Sequence, residues 1–139
     1  MNRGLRRLMK TPIINREIGV YLCAAQPSNH KYGDPVLFKI GNSVRITERV
    51  KEHSRKTRKD WNMLTKLVFR QPTPVTVSRK ELESLIISSV LANGYRPYGK
   101  CREWFVVEGS ENQINFRRLV ENECVKLCDY VCPMDTSSD

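Results

Sequence analysis

The sequence predicts an α+β fold, a small mixed sheet of three to four strands flanked by helices. Three observations lead there: short apolar runs separated by turn-rich breaks, longer stretches with apolar residues at helical spacing, and an order that alternates the two. With 139 residues, 40% of them hydrophobic, the chain can bury one core and hardly two. The expected organisation is a basic arm at 1–17, a main body at 18–108, a helix at 109–132 packed on that body, and a polar tail at 133–139.

Gly19 to Ala25 is a short apolar run that fits a buried strand, and Val36 to Ile40 is a second. Gln26 to Pro35 between them holds two prolines, Ser28, Asn29, Gly33 and Asp34, so the pair reads as a hairpin with a long loop. After Gly41, Asn42 and Ser43 are candidate caps for a helix running to about Lys56, with Ile46 and Val50 one turn apart. At 100° per residue, Arg49 and His53 fall at the edge of that apolar face.

Met63 to Phe69 reads as a third strand, ended by the prolines of Gln71–Pro74. Ser78-Arg79-Lys80-Glu81 is a capping-box pattern opening a helix that stops at Asn93-Gly94. On that helix Glu83 falls inside the sector formed by Leu82, Ile86, Ile87 and Val90, whereas Glu81 lies on the polar side. A carboxylate pressed into an apolar face costs several kcal/mol unless a cation meets it. Either a metal ion or an arginine is required, or Glu83 reaches water at the rim. Gly94 to Arg102 reads as a loop and Trp104 to Val107 as a strand. Ser110-Glu111-Asn112-Gln113 reads as a second capping box, opening a helix to about Tyr130 with Ile114, Leu119, Val120, Leu127 and Val131 as its stripe.

Lys and Arg number 24 against 15 acidic residues, a net charge of +9 with a pI near 9.6. That balance suits a polyanionic partner. Arg45, Lys51, Arg55, Lys56, Arg58 and Lys59 concentrate it on the first helix and the loop expected after it, and are the candidate nucleic-acid-binding residues. A solvated surface helix would share this pattern. Arg3, Arg6, Arg7, Lys10 and Arg16 precede any acid and read as a flexible arm, an organelle transit peptide being the other reading.

No apolar run approaches the roughly 20 residues of a membrane span, so no membrane partner is expected. The five cysteines are Cys23, Cys101, Cys124, Cys128 and Cys132, and no secretory signal precedes them. Reduced thiols inside a cell, in the cytoplasm or nucleus of a host, are expected. Cys124, Cys128 and Cys132 fall at i, i+4 and i+8 and read as small buried residues; a zinc site would need four ligands with paired short spacings.

Tyr21, Arg49 and His53 place a phenol, a guanidinium and an imidazole on two strands and the helix they feed. One such group can relay a proton from water while the others hold a phosphate, and Glu83 would supply an acidic metal ligand. These residues resemble the GIY-YIG nuclease family. Gly19-Val20-Tyr21 matches its first triplet with one conservative change, and Lys39-Ile40-Gly41 its second with lysine for tyrosine. Arg49 follows Gly41 by eight residues and His53 follows Arg49 by four, which is the family spacing. Glu83 matches the metal-binding glutamate, and Glu103-Trp104-Phe105 looks like the strand of a branch found in phages and other viruses.

The resemblance covers about residues 18 to 108 and implies a metal-dependent endonuclease that nicks or cuts DNA, leaving a 5′-phosphate and a 3′-hydroxyl. It implies Tyr21 as general base, its phenolate stabilised by Lys39 and Arg49, with Arg49 also on the scissile phosphate. His53 would orient water or the tyrosine, or contact phosphate. Glu83 would anchor one Mg²⁺ or Mn²⁺, sufficient because magnesium keeps most of its water. The asparagine that many members carry after the glutamate helix has no clear counterpart; Asn93 is nearby, and Arg102-Glu103-Trp104 is the other candidate for that side. The alternatives are a catalytically silent module recruiting nucleic acid or protein, or an RNA-directed nuclease. Specificity would come from loops 26–35 and 94–102, the arm, or a homodimer partner.

Overall fold

In a computed structural model, which describes residues 15–131 except Val75 and leaves aside the side chains of 101, 102 and 128–131, eight elements follow one another. They are β1 (Gly19–Gln26), β2 (Val36–Ser43), α1 (Ile46–Trp61), β3 (Leu64–Pro72), α2 (Arg79–Ala92), β4 (Arg96–Tyr98), β5 (Cys101–Val107) and α3 (Ser110–Val131). The arm up to residue 14, the tail from residue 132 and Cys132 lie outside the described residues, as do the Arg102 and Cys128 side chains.

The strands form one sheet in the order β3-β1-β2-β5-β4. The fold is α+β, as expected, with the sheet enlarged to five strands and all four pairings antiparallel. The added strand is β4, in the segment read as a loop. Its Arg96 and Pro97 pair with Val106 and Phe105, and an irregularity follows Pro97, in keeping with the edge position that a proline tolerates.

Strand alternation divides the core in two. Val20, Leu22, Phe38, Ile40, Phe105 and Val107 point to one face, where they meet Leu82, Ile86 and Val90 of α2 and Phe116, Val120 and Cys124 of α3. Tyr21, Cys23, Ala25, Leu37 and Trp104 point to the other, under Ile46 and Val50 of α1. Each large apolar side chain so buried contributes roughly 1.5–3 kcal/mol. The stripe of α3 is rotated from the expected one: Phe116 is fully buried, whereas Ile114 is 45% exposed. Phe116 is held in that place by stacking on Phe38 at 4.7 Å between ring centroids.

Helix ends also differ from what the sequence suggests. β2 runs on through Asn42 and Ser43, so neither caps α1, whose N-cap is Arg45 with no side-chain hydrogen bond. The donors of that helix end go to Glu17 instead: Ile46 N–H to its carbonyl at 3.0 Å and Thr47 N–H to its Oε1 at 2.8 Å. Arg70 donates to Glu17 Oε2 at 2.5 Å, tying β3 to the same carboxylate. At its other end α1 passes Lys56 and stops where Asn62 takes a left-handed conformation (φ 54°), a position asparagine tolerates. Ser78 caps α2 as expected, accepting from Glu81 N–H at 3.2 Å. Gln113 does not close a box on α3; its amide donates to the Asp34 and Val107 carbonyls. Among the described residues no helix is long and apolar enough to cross a membrane.

Candidate functional site

Tyr21 sits opposite Gly41 in the β1–β2 ladder. A Cβ at position 41 would lie 2.5 Å from the Tyr21 hydroxyl, so the absence of a side chain there makes room for the phenol. Tyr21 is 1% exposed, yet its hydroxyl is partnered, 2.7 Å from His53 Nε2. His53 follows Ile46 and Val50 on the buried side of α1, and Trp104 stands edge-on to its ring at 6.2 Å.

Burial decides how both groups are protonated. It lowers His53 to about 4, with the Lys39 and Arg49 charges acting the same way, so the imidazole is neutral at pH 7. Burial also pushes Tyr21 above its ordinary value, Cys23 adding to the effect and Arg49 opposing it. The expected phenolate is therefore disfavoured. Lys39, expected to stabilise it, is turned elsewhere: its ammonium is paired with Glu103 and lies 5.6 Å from the centre of the Trp104 ring. The Lys39 alkyl chain is buried among apolar neighbours and the exposed carboxylate of Glu103 satisfies its charge.

Arg49 is half-exposed and donates to Glu52 at 2.8 Å. It lines a cavity of about 470 Å³ together with Lys39, His53, Lys56, Trp61 and Trp104. An arginine there can exchange its carboxylate for a phosphate, since the guanidinium fork suits both.

Glu83 approaches from α2, the other side of the sheet. Half-buried, it accepts at Oε2 from Asn42 Nδ2 at 2.8 Å. Burial raises its pKa, the Asn42 hydrogen bond opposes that, and the Glu103 charge adds to it. The Glu83 charge also acts on Tyr21, adding to the rise of its pKa. The Lys39 and Lys80 charges act on Glu83 in the lowering direction, and a carboxylate so oriented by an amide is a group that could hold a divalent cation. Among the described residues no group of three or more His, Cys, Asp or Glu side chains is arranged around a metal; Glu83 is the residue that would hold a cation, with water and phosphate oxygens as its other ligands.

The remaining candidates divide. Lys56 lines the cavity, and Arg45 is the non-helical N-cap of α1 (φ −144°) and is not among the cavity's lining residues. Lys51, paired with Glu48 at 3.6 Å, projects away from the cavity with Arg55 and Arg58, and Lys59 lies to one side. Asn93 is not at the site: its amide donates to Ser89 O at the end of α2. Asn42 is the amide that sequence reasoning missed. Strand parity could have found it, since Asn42 shares the face of Phe38 and Ile40.

Residues 18–127 match the T5orf172 domain. The chain belongs to the T5orf172 domain family. No curated protein and no solved structure matches it significantly. The match to the T5orf172 domain takes in Tyr21, Lys39, Arg49, His53 and Glu83, and extends through most of α3.

Proposed function

We propose that this T5orf172 domain is a GIY-YIG-type endonuclease that hydrolyses DNA phosphodiester bonds with Mg²⁺ or Mn²⁺. The observation that carries the reading is the 2.7 Å hydrogen bond between buried Tyr21 and neutral His53, beside a cavity lined by Arg49. Burial makes a free phenolate costly, but the pair avoids one. As the Tyr21 oxygen takes a proton from the attacking water, its own proton passes to His53 Nε2, and the water oxygen bonds to phosphorus while the P–O3′ bond breaks and the leaving 3′ oxygen takes a proton from solvent water. Arg49 leaves Glu52 for the phosphate oxygens, where negative charge grows in the transition state.

Glu83, held by Asn42, would be the protein ligand of the metal, which when bound supplies positive charge to the phosphate and leaving oxygen. Lys39, kept on Glu103, fixes the strand that carries Trp104 and lowers the basicity of His53 without touching Tyr21.

A gel assay with supercoiled plasmid, single-stranded DNA and RNA, each with Mg²⁺, Mn²⁺ or EDTA, tests the reading. Metal-dependent nicking or linearisation of DNA is the expected result; cleavage of RNA alone would move the assignment to an RNA-directed nuclease. One observation favours a second reading, a silent recruiting module: Arg49 and Lys39 are both already paired, with Glu52 and Glu103. Binding to DNA that weakens with salt, without cleavage of any substrate, would establish it.

A further inference from the structure

We infer that the cavity beside the Tyr21–His53 pair is a base pocket, taking one unstacked nucleobase of single-stranded or locally opened DNA. This rests on the nuclease reading and names the form of DNA that the site accepts. The volume of about 470 Å³ lies within the range of small-molecule sites, roughly 300–1,000 Å³. Its charges cancel: Lys39, Arg49 and Lys56 are matched by Glu52, Asp60 and Glu103. A cavity built to seat a phosphate would carry an excess of cations. Here two of the three cations are already bonded to carboxylates, so the interior suits a ligand without net charge, while Arg49 at the half-exposed edge remains the phosphate contact.

The wall is aromatic. Trp61, the last residue of α1, stands edge-to-face to Trp104 at 5.5 Å and 84°, and Tyr98 of β4 stands edge-to-face to Trp61 at 5.5 Å and 78°. Trp104 is buried, whereas Trp61 is only partly buried and lines the cavity, so the indole of Trp61 is the surface on which a flat ring can lie. Bases lie on aromatic side chains in this way in proteins that bind single strands. The carboxylates suit the ligand's edge, since Asp and Glu accept from the amino groups of bases. A neutral flat ring with donors on its rim is a nucleobase. Inside an intact duplex such a ring is stacked on its neighbours and cannot enter the cavity, so the bound nucleotide must be unpaired or flipped out.

Trp61 and Trp104 are the only two tryptophans in the chain, so intrinsic fluorescence reports on this wall alone. The full chain in EDTA, which prevents cleavage, is titrated with a short single-stranded DNA and with its blunt duplex. The single strand is expected to quench the emission and to bind more tightly than the duplex. Trp61→Ala is expected to weaken single-strand binding about 5- to 100-fold and Trp61→Phe to keep most of it. Should Trp61→Ala fail to fold by circular dichroism, the emission of the unaltered protein decides. Equal binding of both forms without any change in emission overturns the base pocket and leaves the nuclease reading standing. Binding of neither form overturns both.

Discussion

The phenol ring of Tyr21 fills the space that a side chain at Gly41 would need, 2.5 Å from where a Cβ would stand. The two residues are partners across the β1–β2 ladder. The bare backbone at the end of the second triplet thus lets the first triplet's tyrosine lie flat under α1 with its hydroxyl on His53. Gly41→Ala is expected to destabilise the protein by about 1–3 kcal/mol, the usual cost of overpacking a core. It should also displace the Tyr21 hydroxyl and abolish cleavage. Urea melts together with cleavage rates check both effects.

His53 sets the acid limb of the pH profile. Relay through Nε2 needs a neutral imidazole, and burial lowers His53 to about 4. Activity should therefore fall as pH drops through about 4 and not near the ordinary histidine value. Stability has the same sign. The unfolded chain takes up this proton near 6.5 and the folded one only near 4, so between those values the unfolded state binds more protons and stability rises with pH. His53→Gln should flatten that slope in pH-dependent denaturant melts and reduce cleavage about 100-fold or more.

Asn42 positions Glu83 and touches no reacting atom. Asn42→Ala removes the 2.8 Å hydrogen bond and should raise the Mg²⁺ concentration needed for half-maximal cleavage about 10- to 100-fold, as losses of partners that orient metal ligands commonly do. The maximal rate at saturating metal should be largely restored. A merely structural role for Asn42 would instead leave the metal requirement unchanged.

Glu17 anchors the start of α1 and β3 through Thr47 and Arg70. The Thr47 N–H first, then Arg70, holds its carboxyl down at about 2, against an ordinary 4.5. Its contribution is thus fully present above about 4.5 and lost as pH falls from there through about 2. Glu17→Gln should lower the thermal midpoint at pH 7 and reduce the difference between pH 7 and pH 3; equal midpoints for both proteins at pH 7 would remove Glu17 from this role.

Four of the five strands, the three helices and the positions of Tyr21, Arg49, His53 and Glu83 on them were legible because each follows from a local pattern. Apolar alternation marks β1 and β2, helical spacing puts His53 next to Val50, and the apolar sector around Glu83 marks it as an anomaly. What escaped depends on partners far apart in the chain. Glu17 caps a helix that starts 29 residues later, Lys39 turns to Glu103 across the β2–β5 edge, and Trp61, Tyr98 and Trp104 meet from three elements. The burial that raises the Tyr21 pKa is of the same kind, because Tyr21 is packed with Ile46 and Val50 of α1, which no triplet announces.

Tyr21→Phe tests the central claim most directly, because it removes one oxygen from a fully packed site and leaves the ring in place under α1. Under single-turnover conditions with Mg²⁺ and plasmid DNA, cleavage should fall at least about 100-fold, while DNA affinity and the urea midpoint stay close to those of the unaltered protein. Cleavage by Tyr21→Phe at the full rate would contradict the assignment of proton transfer to the Tyr21–His53 pair.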